Sequence, residues 1–505
     1  MASITLAAFL MLLDTSIVGT AIPRITTDFH SLNDVGWYGT AYLLTNCSLQ
    51  PLAAKMYTYL HSKWLFLTFF AIFEFGSALC GAAQSSNMLI IGRAFAGIGA
   101  SGLLNGAFAI VHAGVPSERR PALIGFLMGL SQLGLASGPL IGGALTQHAS
   151  WRWCFYINLP CAAIVCPVLL LVPIPDNRTP DTKAMPIPTT LRNLDLPGFT
   201  VFAGAAIQLL LALNWGGTSY AWDSATIIGL FCGAGVAFLV FLAWEYYMDE
   251  GAMIPFSLAG RRIIWSSCLN YGFFMGSILV CSYYLPMYFQ AVRDTSPTLS
   301  GVYILPSVLP AIVFAMVTGG LVTRVGYYLP FAISSSTLTT LGTALLTTLT
   351  PSTATRNWVG FQLIQGIGRG MGVQMPLLAV QHFAADSKLH AIATGLVVLA
   401  QNLGGAVLLS LAQVLFSGGL ESELREYAPR VDAARLVEAG AAGVRDAVGE
   451  GELEGVLKAY NGAIVRVIYL ATAGAAAALV FAFGMGWVSI RKRDEGEKQK
   501  AGGES

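Results

Sequence analysis

Long apolar runs separated by short polar turns set the rhythm of this chain. A hydrocarbon layer about 30 Å thick takes roughly 20 apolar residues of helix to cross. Runs of that kind fall at 2–21, 35–58, 64–84, 88–112, 122–147, 153–173, 196–214, 225–245, 263–289, 298–320, 327–349, 357–383, 391–418 and 461–488. A backbone in lipid must satisfy its own hydrogen bonds, so every run is predicted to be a helix, fourteen in all. Two polar, proline-bearing stretches divide these into six, two and six. The predicted organisation is an N-terminal six-helix bundle (1–173), a linker (174–195), two inserted helices (196–245), a second linker (246–262), a C-terminal six-helix bundle (263–488) and a tail (489–505). An outer loop at 419–459 belongs to the second bundle; its spaced Leu436, Val437, Val444 and Val448 predict short amphipathic helices at the surface. The first run has no basic lead and contains Asp14, so it reads as a membrane helix and not as a cleaved signal peptide.

Composition sharpens this picture. Hydrophobic residues make up 55% and charged residues 11%, where a soluble protein carries about 25% charged. Lipid is therefore the expected solvent. The 28 Lys+Arg almost balance 27 Asp+Glu, which leaves no basic field to attract nucleic acid. With the N-terminus inside, cytoplasmic segments gather Lys55, Lys63, Arg119, Arg120, Arg178, Lys183, Arg192, Arg261, Arg262, Arg324, Lys388 and the basic residues of 491–500, whereas the short outer loops hold only Arg24, Arg152, Arg293 and Arg356. That asymmetry puts both termini in the cytoplasm. The eight cysteines lie in or beside apolar runs without a CxxC pair and read as small packing residues. The six histidines are dispersed, and neither HExxH nor a phosphate-binding P-loop pattern occurs. No cofactor, no metal and no enzymatic activity are expected, and ATP is not the energy source.

The fourth run contains Gly97-x-Gly99-x-x-Gly102, the spacing of a dinucleotide loop. Phosphate binds free N–H groups where a strand turns into a helix. These glycines lie inside a helix whose N–H groups are already used, so they are expected to serve close packing. At one constant offset, Gly97-Ile98-Gly99 falls on Gly366-Ile367-Gly368 and Gln132 falls on Gln401, which points to a duplicated six-helix unit. Duplicated halves with a substrate site between them are a common transporter architecture. In the fifth run Gly134, Gly138 and Gly142 form a four-residue stripe, with Pro139 beside it and Gly143 alongside. Bend and stripe together suit an interface that moves, the alternative being tight packing alone.

Gly134-x-x-x-Gly138-Pro139-x-x-Gly142-Gly143 resembles the antiporter motif of the major facilitator superfamily. "LDTSIVGTAIPRI" (13–25) resembles the first-helix signature of its fourteen-helix drug:proton antiporters, the DHA2-like family, and "LIIGRAFAGIGA" resembles the fourth-helix motif with its arginine. "WRWCFYINLP" (151–160) and "FEFGSALCGAA" (73–83) are similar to fungal members that export toxins and drugs. The likeness covers essentially the whole chain and implies an all-α major facilitator fold with 14 transmembrane helices (6+2+6). One departure stands out. The loop between the second and third helices, "AAKMYTYLHSKW" (53–64), lacks the family's usual aspartate, with Thr58 near that place, so charge-based gating there is not carried over.

Ionisable groups inside lipid cost at least about 2.5 kcal/mol each at a helix centre and need a partner, a cavity or a function. Asp14, Glu74, Arg93 and Arg369 are such groups. A carboxyl in this position can take up and release a proton, so Asp14 and Glu74 are candidate proton carriers; static hydrogen bonding is the alternative. The resemblance assigns the counterpart of Arg93 to proton transfer, and a guanidinium that keeps its charge would act by biasing a neighbouring acid. Arg369 has no equivalent in the first half and is open between a helix-dipole role and contact with an anionic substrate. On the helices that line the centre of this fold, Asn46, Gln50, Asn105, Gln132, Asn270, Tyr271, Tyr283, Tyr284, Gln362, Gln365 and Gln401 form a candidate substrate site of few polar anchors in apolar walls.

The reading that follows is a monomeric, proton-coupled antiporter that exports small organic toxins, drugs or secondary metabolites. The resemblance implies a small-molecule substrate, protons and the lipid bilayer as partners, with the plasma membrane as its location and the vacuolar membrane as the alternative. Proton-coupled uptake or vacuolar transport of an iron chelate or basic amino acid stays open. So does a membrane sensor or scaffold, although no large soluble signalling domain is present to support it.

Overall fold

The computed structural model describes the chain apart from residues 1, 30–34, 117–118, 175–177, 179–184, 187–188, 191–192, 218–219, 249–251, 385–389, 432–447 and 490–505. Lys183, Arg192, Lys388, Leu436, Val437, Val444 and the basic cluster of the tail lie outside the described residues. The elements are α1 (Ala2–Phe29), α2 (Val35–Tyr59), α3 (Ser62–Gly81), α4 (Ser86–Gly114), α5 (Arg120–His148), α6 (Trp153–Tyr156), α7 (Asn158–Leu171), α8 (Leu196–Trp215), α9 (Ala225–Met248) and α10 (Phe256–Ala259). They continue with α11 (Arg262–Met287), α12 (Pro297–Val325), α13 (Leu329–Leu346), α14 (Thr355–Gly372), α15 (Met375–Phe383), α16 (His390–Tyr427) and α17 (Glu450–Ala482). Among the described residues there is no strand, and two isolated bridges, Gly216–Tyr220 and Tyr327–Ser489, pair only turns.

Twelve stretches among the described residues are long and apolar enough to cross a membrane. The expectation of fourteen is met only in part. The runs at 35–58 and 357–383 are helical, as α2 and as α14 with α15, but fall outside the twelve. The reason is polar content turned inward: α2 buries Asn46, Ser48, Gln50 and Lys55, and α14 buries Gln362, Gln365 and Arg369. By contrast α9 is apolar all round and leaves Val236, Phe238, Leu239 and Val240 exposed, the character of a helix solvated by lipid.

Small residues bring the helices together. Gly97 lies against Thr45 and the Tyr42 carbonyl on α2, Gly99 against Phe73 and Gly102 against Phe69, both on α3. The dinucleotide-like spacing is thus a two-sided packing surface in the middle of α4. On α5, the stripe of Gly134, Gly138 and Gly142 faces α1, where a Cβ would meet Phe9, Ser16, Ile17 and Thr20. Gly143 meets nothing within 4 Å and does not extend that contact. A different face of α5, at Gly125, Gly129 and Leu140, rests on Ala315, Ile312 and Gly301 of α12. Two broad seams therefore join α1–α7 to α11–α17: α5 against α12, and α2 against α16. The pair α8 and α9 sits outside the second seam, with α8 touching both α2 and α16.

The two lysines of the 53–64 segment have local partners. Lys55 on α2 donates to the Ala252 carbonyl at 2.7 Å. The next residues of that linker are held by carboxylates: Met253 N–H donates to Asp195 Oδ2 at 3.0 Å and to Glu245 Oε1 at 3.2 Å, and Ile254 N–H donates to Glu245 Oε2 at 2.6 Å. Asp195 also caps α8 through Gly198 N–H and accepts from Trp244 Nε1 at 2.8 Å. The linker is thereby tied to α2, α8 and α9 at once. Lys63 donates to the carbonyls of Leu170 and Val172 at 2.8 and 2.9 Å, a cation on the negative end of α7.

At both ends of the expected outer loop the long helices run further than the apolar runs predict. Residues 419–427 continue α16 and 450–459 begin α17, because Leu420, Leu424, Val456, Ala459 and Tyr460 prolong the apolar stripes of those helices into one buried cluster. The short helices expected around Leu436, Val437 and Val444 fall outside the described residues. Across them Arg466 pairs with Glu423 at 2.6 Å.

The α1–α5 contact gives a paired prediction. Gly138→Ala forces a methyl onto Ser16 and Ile17 and should lower stability by about 1–3 kcal/mol, the usual cost of overpacking. Gly143→Ala, in open space, should be neutral or stabilise by up to about 1 kcal/mol through helix propensity. Equilibrium unfolding in mixed detergent compares the two, and equal effects would contradict the assignment of the stripe to α1.

Candidate functional site

Asp14, on α1, and Arg93, on α4, lie far apart in sequence and meet in the interior. Arg93 Nη1 donates to Asp14 Oδ2 at 2.5 Å, and both side chains are almost fully buried. The guanidinium is held on two further sides. Its Nε donates to the Tyr38 carbonyl on α2 at 2.9 Å, and its Cζ stands 4.5 Å from the centre of the Tyr42 ring. Tyr42 is in turn 3.5 Å from Thr15, the neighbour of Asp14. One carboxylate oxygen, Asp14 Oδ1, has no hydrogen-bond partner. The site is a satisfied cation beside an acid with one oxygen to spare. Such an acid can accept a proton without first losing a second bond.

Glu74 is not part of that contact. It is buried on α3 with neither carboxylate oxygen hydrogen-bonded, within electrostatic reach of Asp14 and of Cys161 and Cys166 on α7. Below it Asn158 Nδ2 donates to Ser77 at 3.0 Å and ties α7 to α3. The cysteines are all free thiols.

The candidate substrate residues divide into two groups. The first reaches across the seams. Arg369 on α14 donates a short hydrogen bond to Gln132 Oε1 on α5. Asn402 Nδ2 on α16 donates to Gln50 Oε1 on α2 at 3.2 Å. Asn105 on α4 lies against Gly395 of α16 with both amide atoms unpartnered. Asn46 Oδ1 and Gln401 Oε1 also lack partners, and Tyr283 is 46% exposed. Where α4 ends and α16 begins, the rings of His112 and His390 stack with centroids 3.8 Å apart.

The second group holds neighbouring helices together. Asn270 donates to the Ala478 carbonyl on α17 at 2.6 Å, and Tyr284 donates to Gln413 on α16 at 3.1 Å while packing on Phe416. Gln362 donates to the Tyr303 carbonyl on α12 at 3.0 Å, and Gln365 is buried against Gly342 of α13. Tyr271 is wholly buried in the core. These residues are polar and central in sequence, yet packing has spent most of them. Asn402, the partner of Gln50, escaped sequence reasoning; it directly follows Gln401, and on a helix adjacent residues point to different faces.

Comparison with known proteins is consistent along the whole chain. Residues 4–409 match the family model described as Major Facilitator Superfamily. The chain is 52% identical to "Efflux pump mlcE" of Penicillium citrinum, over 98% of this chain and 91% of that protein. It is likewise 52% identical to "MFS-type transporter pigP" of Monascus ruber, over 97% of this chain and 86% of that one. Among solved structures it is similar to the proton:xylose symporter XylE, with TM-score 0.61 at 15% identity, covering 97% of this chain and 96% of that chain. The human organic anion transporter MFSD10 matches with TM-score 0.57 at 13% identity, over 93% and 98% of the two chains. At such identities the likeness speaks for the fold alone.

The ion pair predicts non-additive behaviour. Arg93→Leu strands the Asp14 carboxylate in the interior and should lower stability by about 3–5 kcal/mol, the cost of breaking a buried pair from one side. The double variant Asp14→Leu/Arg93→Leu should recover most of that loss. A double-mutant cycle read by detergent unfolding checks it; simple additivity would mean that the two charges do not depend on each other.

Proposed function

Because the chain belongs to the Major Facilitator Superfamily, we propose that it is a proton-coupled efflux transporter that exports small organic compounds of the secondary-metabolite kind. The naming of a relative at 52% identity as an efflux pump supports the direction of transport. The observation that carries the coupling is the buried pair of Asp14 and Arg93 with its unpartnered carboxylate oxygen.

In this reading a proton taken by Asp14 cancels the attraction that draws α1 to α4. Arg93 keeps its charge and stays on the Tyr38 carbonyl and the Tyr42 ring. Released from the arginine, α1 can shift with α5, which it grips through the glycine stripe, and α5 carries the motion to α12 across the seam. The bonds Gln50–Asn402 and Gln132–Arg369 and the His112–His390 stack then part as the seam opens. Gly134, Gly138 and Gly142, with Pro139 beside them, thus form the conformational motif, from which Gly143 drops out, with Asp14 and Arg93 as the coupling pair and Glu74 as a second carboxyl within its field.

We read the helices as six, two and six, with α2 and the α14–α15 pair completing fourteen spans. The polar faces of these two serve the transport path. Both termini lie in the cytoplasm by the distribution of Lys and Arg, so the end closed by His112 and His390 is the cytoplasmic one. The plasma membrane is the proposed location and the monomer the working unit. Inward proton movement supplies about 2.3 kcal/mol per 100 mV and roughly 1.4 kcal/mol per pH unit.

The test is functional. Asp14→Asn should abolish pH-driven flux in proteoliposomes while the protein stays folded and inserted, as judged by its elution and unfolding profile. Proton-driven flux at the wild-type rate would remove Asp14 from the mechanism.

A further inference from the structure

Two arginines are buried among the described residues, and they are treated differently. Arg93 has a resident carboxylate, a backbone carbonyl and an aromatic ring. Arg369, 6% exposed, has the side-chain amide oxygen of Gln132 where a carboxylate would be expected, and its Nε has no hydrogen-bond partner. Among the described residues no aspartate or glutamate forms an ion pair with it. A buried guanidinium cannot shed its charge and needs a compensating anion.

The backbone around Arg369 is built to hold that charge in place. Gly366 and Gly370 press on the backbone of Ser307 and Ala311 of α12, while Gly368 and Gly372 press on Thr339 and Ser335 of α13. With α14 wedged on two sides by alternate glycines, the side chain between them has little freedom to turn away. It points to α5 and meets Gln132. The residue that bonds it belongs to the other side of a seam, so the contact lasts only while α5 and α14 stay together.

We propose that Arg369 is the anchor for a carboxylate on the exported compound, so that the transporter selects organic carboxylates, with Gln132 holding the guanidinium until cargo replaces it. This rests on the efflux reading and names the chemical class that such a pump takes. Cargo brings the missing anion, and the Nε with a neighbouring Nη offers the fork that a carboxylate accepts from arginine. When cargo displaces Gln132, the bond across the seam is exchanged for a bond to the ligand. Cargo binding and release of the α5–α14 contact are then one event.

The experiment uses the full chain in lipid nanodiscs, with pyrenebutyrate and its methyl ester as matched probes and empty nanodiscs as the partition blank. Wild type should bind the acid at least about tenfold more tightly than the ester, the scale of one charge-assisted hydrogen bond. Arg369→Gln should bring that ratio close to one. Gln132→Glu, which gives Arg369 a carboxylate of its own, should do the same and keeps the test open if the arginine variant does not fold. A ratio near one for wild type, with the ester still bound, overturns the carboxylate anchor and leaves the efflux reading standing. A preference for the acid that survives both substitutions also overturns it. Failure of wild type to bind either probe contradicts the efflux reading and the inference together.

Discussion

The constraint on which this structure depends is the burial of a full positive charge, Arg93, in the interior of a membrane-spanning helix bundle. Lipid offers nothing to solvate it, so the fold must, and three helices converge to do so: α1 supplies Asp14, α2 supplies the Tyr38 carbonyl and the Tyr42 ring, and α4 carries the arginine itself. The close packing of α4 follows from the same need. Glycines at 97, 99 and 102 draw α2 and α3 onto the helix, which brings the polar groups within bonding distance and shuts out competing ligands. An ion pair held this way is weak evidence for added stability. In the proposed mechanism its value is as a switch, because one proton would change the charge balance of a whole helix junction.

From that junction the geometry leads outward by contact. The stripe on α5 faces α1, so a displacement of α1 has a rigid partner to move. The opposite end of the chain of contacts is the seam, where amides and histidines meet across α2, α4, α5, α14 and α16. These bonds are few and individually modest. Polar bonds of this kind part at less cost than the α3–α4 and α1–α5 contacts, where glycines of one helix press on the backbone of the other.

Much of this was legible from residue order alone. Solitary charges in apolar runs marked Asp14, Glu74, Arg93 and Arg369, because lipid makes every such residue conspicuous. The four-residue glycine period marked the α5 stripe, though not its partner: the sequence pattern suits any close neighbour, and only the fold shows that it is α1. Pairings across long separations were hidden for the same reason. Nothing in the order of residues says that Arg93 should find Asp14 while Arg369 finds Gln132. The candidate substrate residues were read from polarity, and polarity does not distinguish Asn270, bonded to a neighbouring helix, from Asn105, left unpartnered at a seam. The count of apolar spans fell short of fourteen at α2 and α14 because polar residues that face inward lower hydropathy without removing the helix.

If binding of cargo and binding of a proton oppose each other through the Asp14–Arg93 junction, linkage requires that either one expel the other. The most direct measurement therefore counts protons. Purified protein in weakly buffered detergent solution is mixed with pyrenebutyrate and followed with a pH indicator, after correction for the probe alone. The account predicts proton release that rises and saturates with binding in wild type and is lost in Asp14→Asn. Binding without proton release in wild type, or release undiminished in the variant, would contradict it.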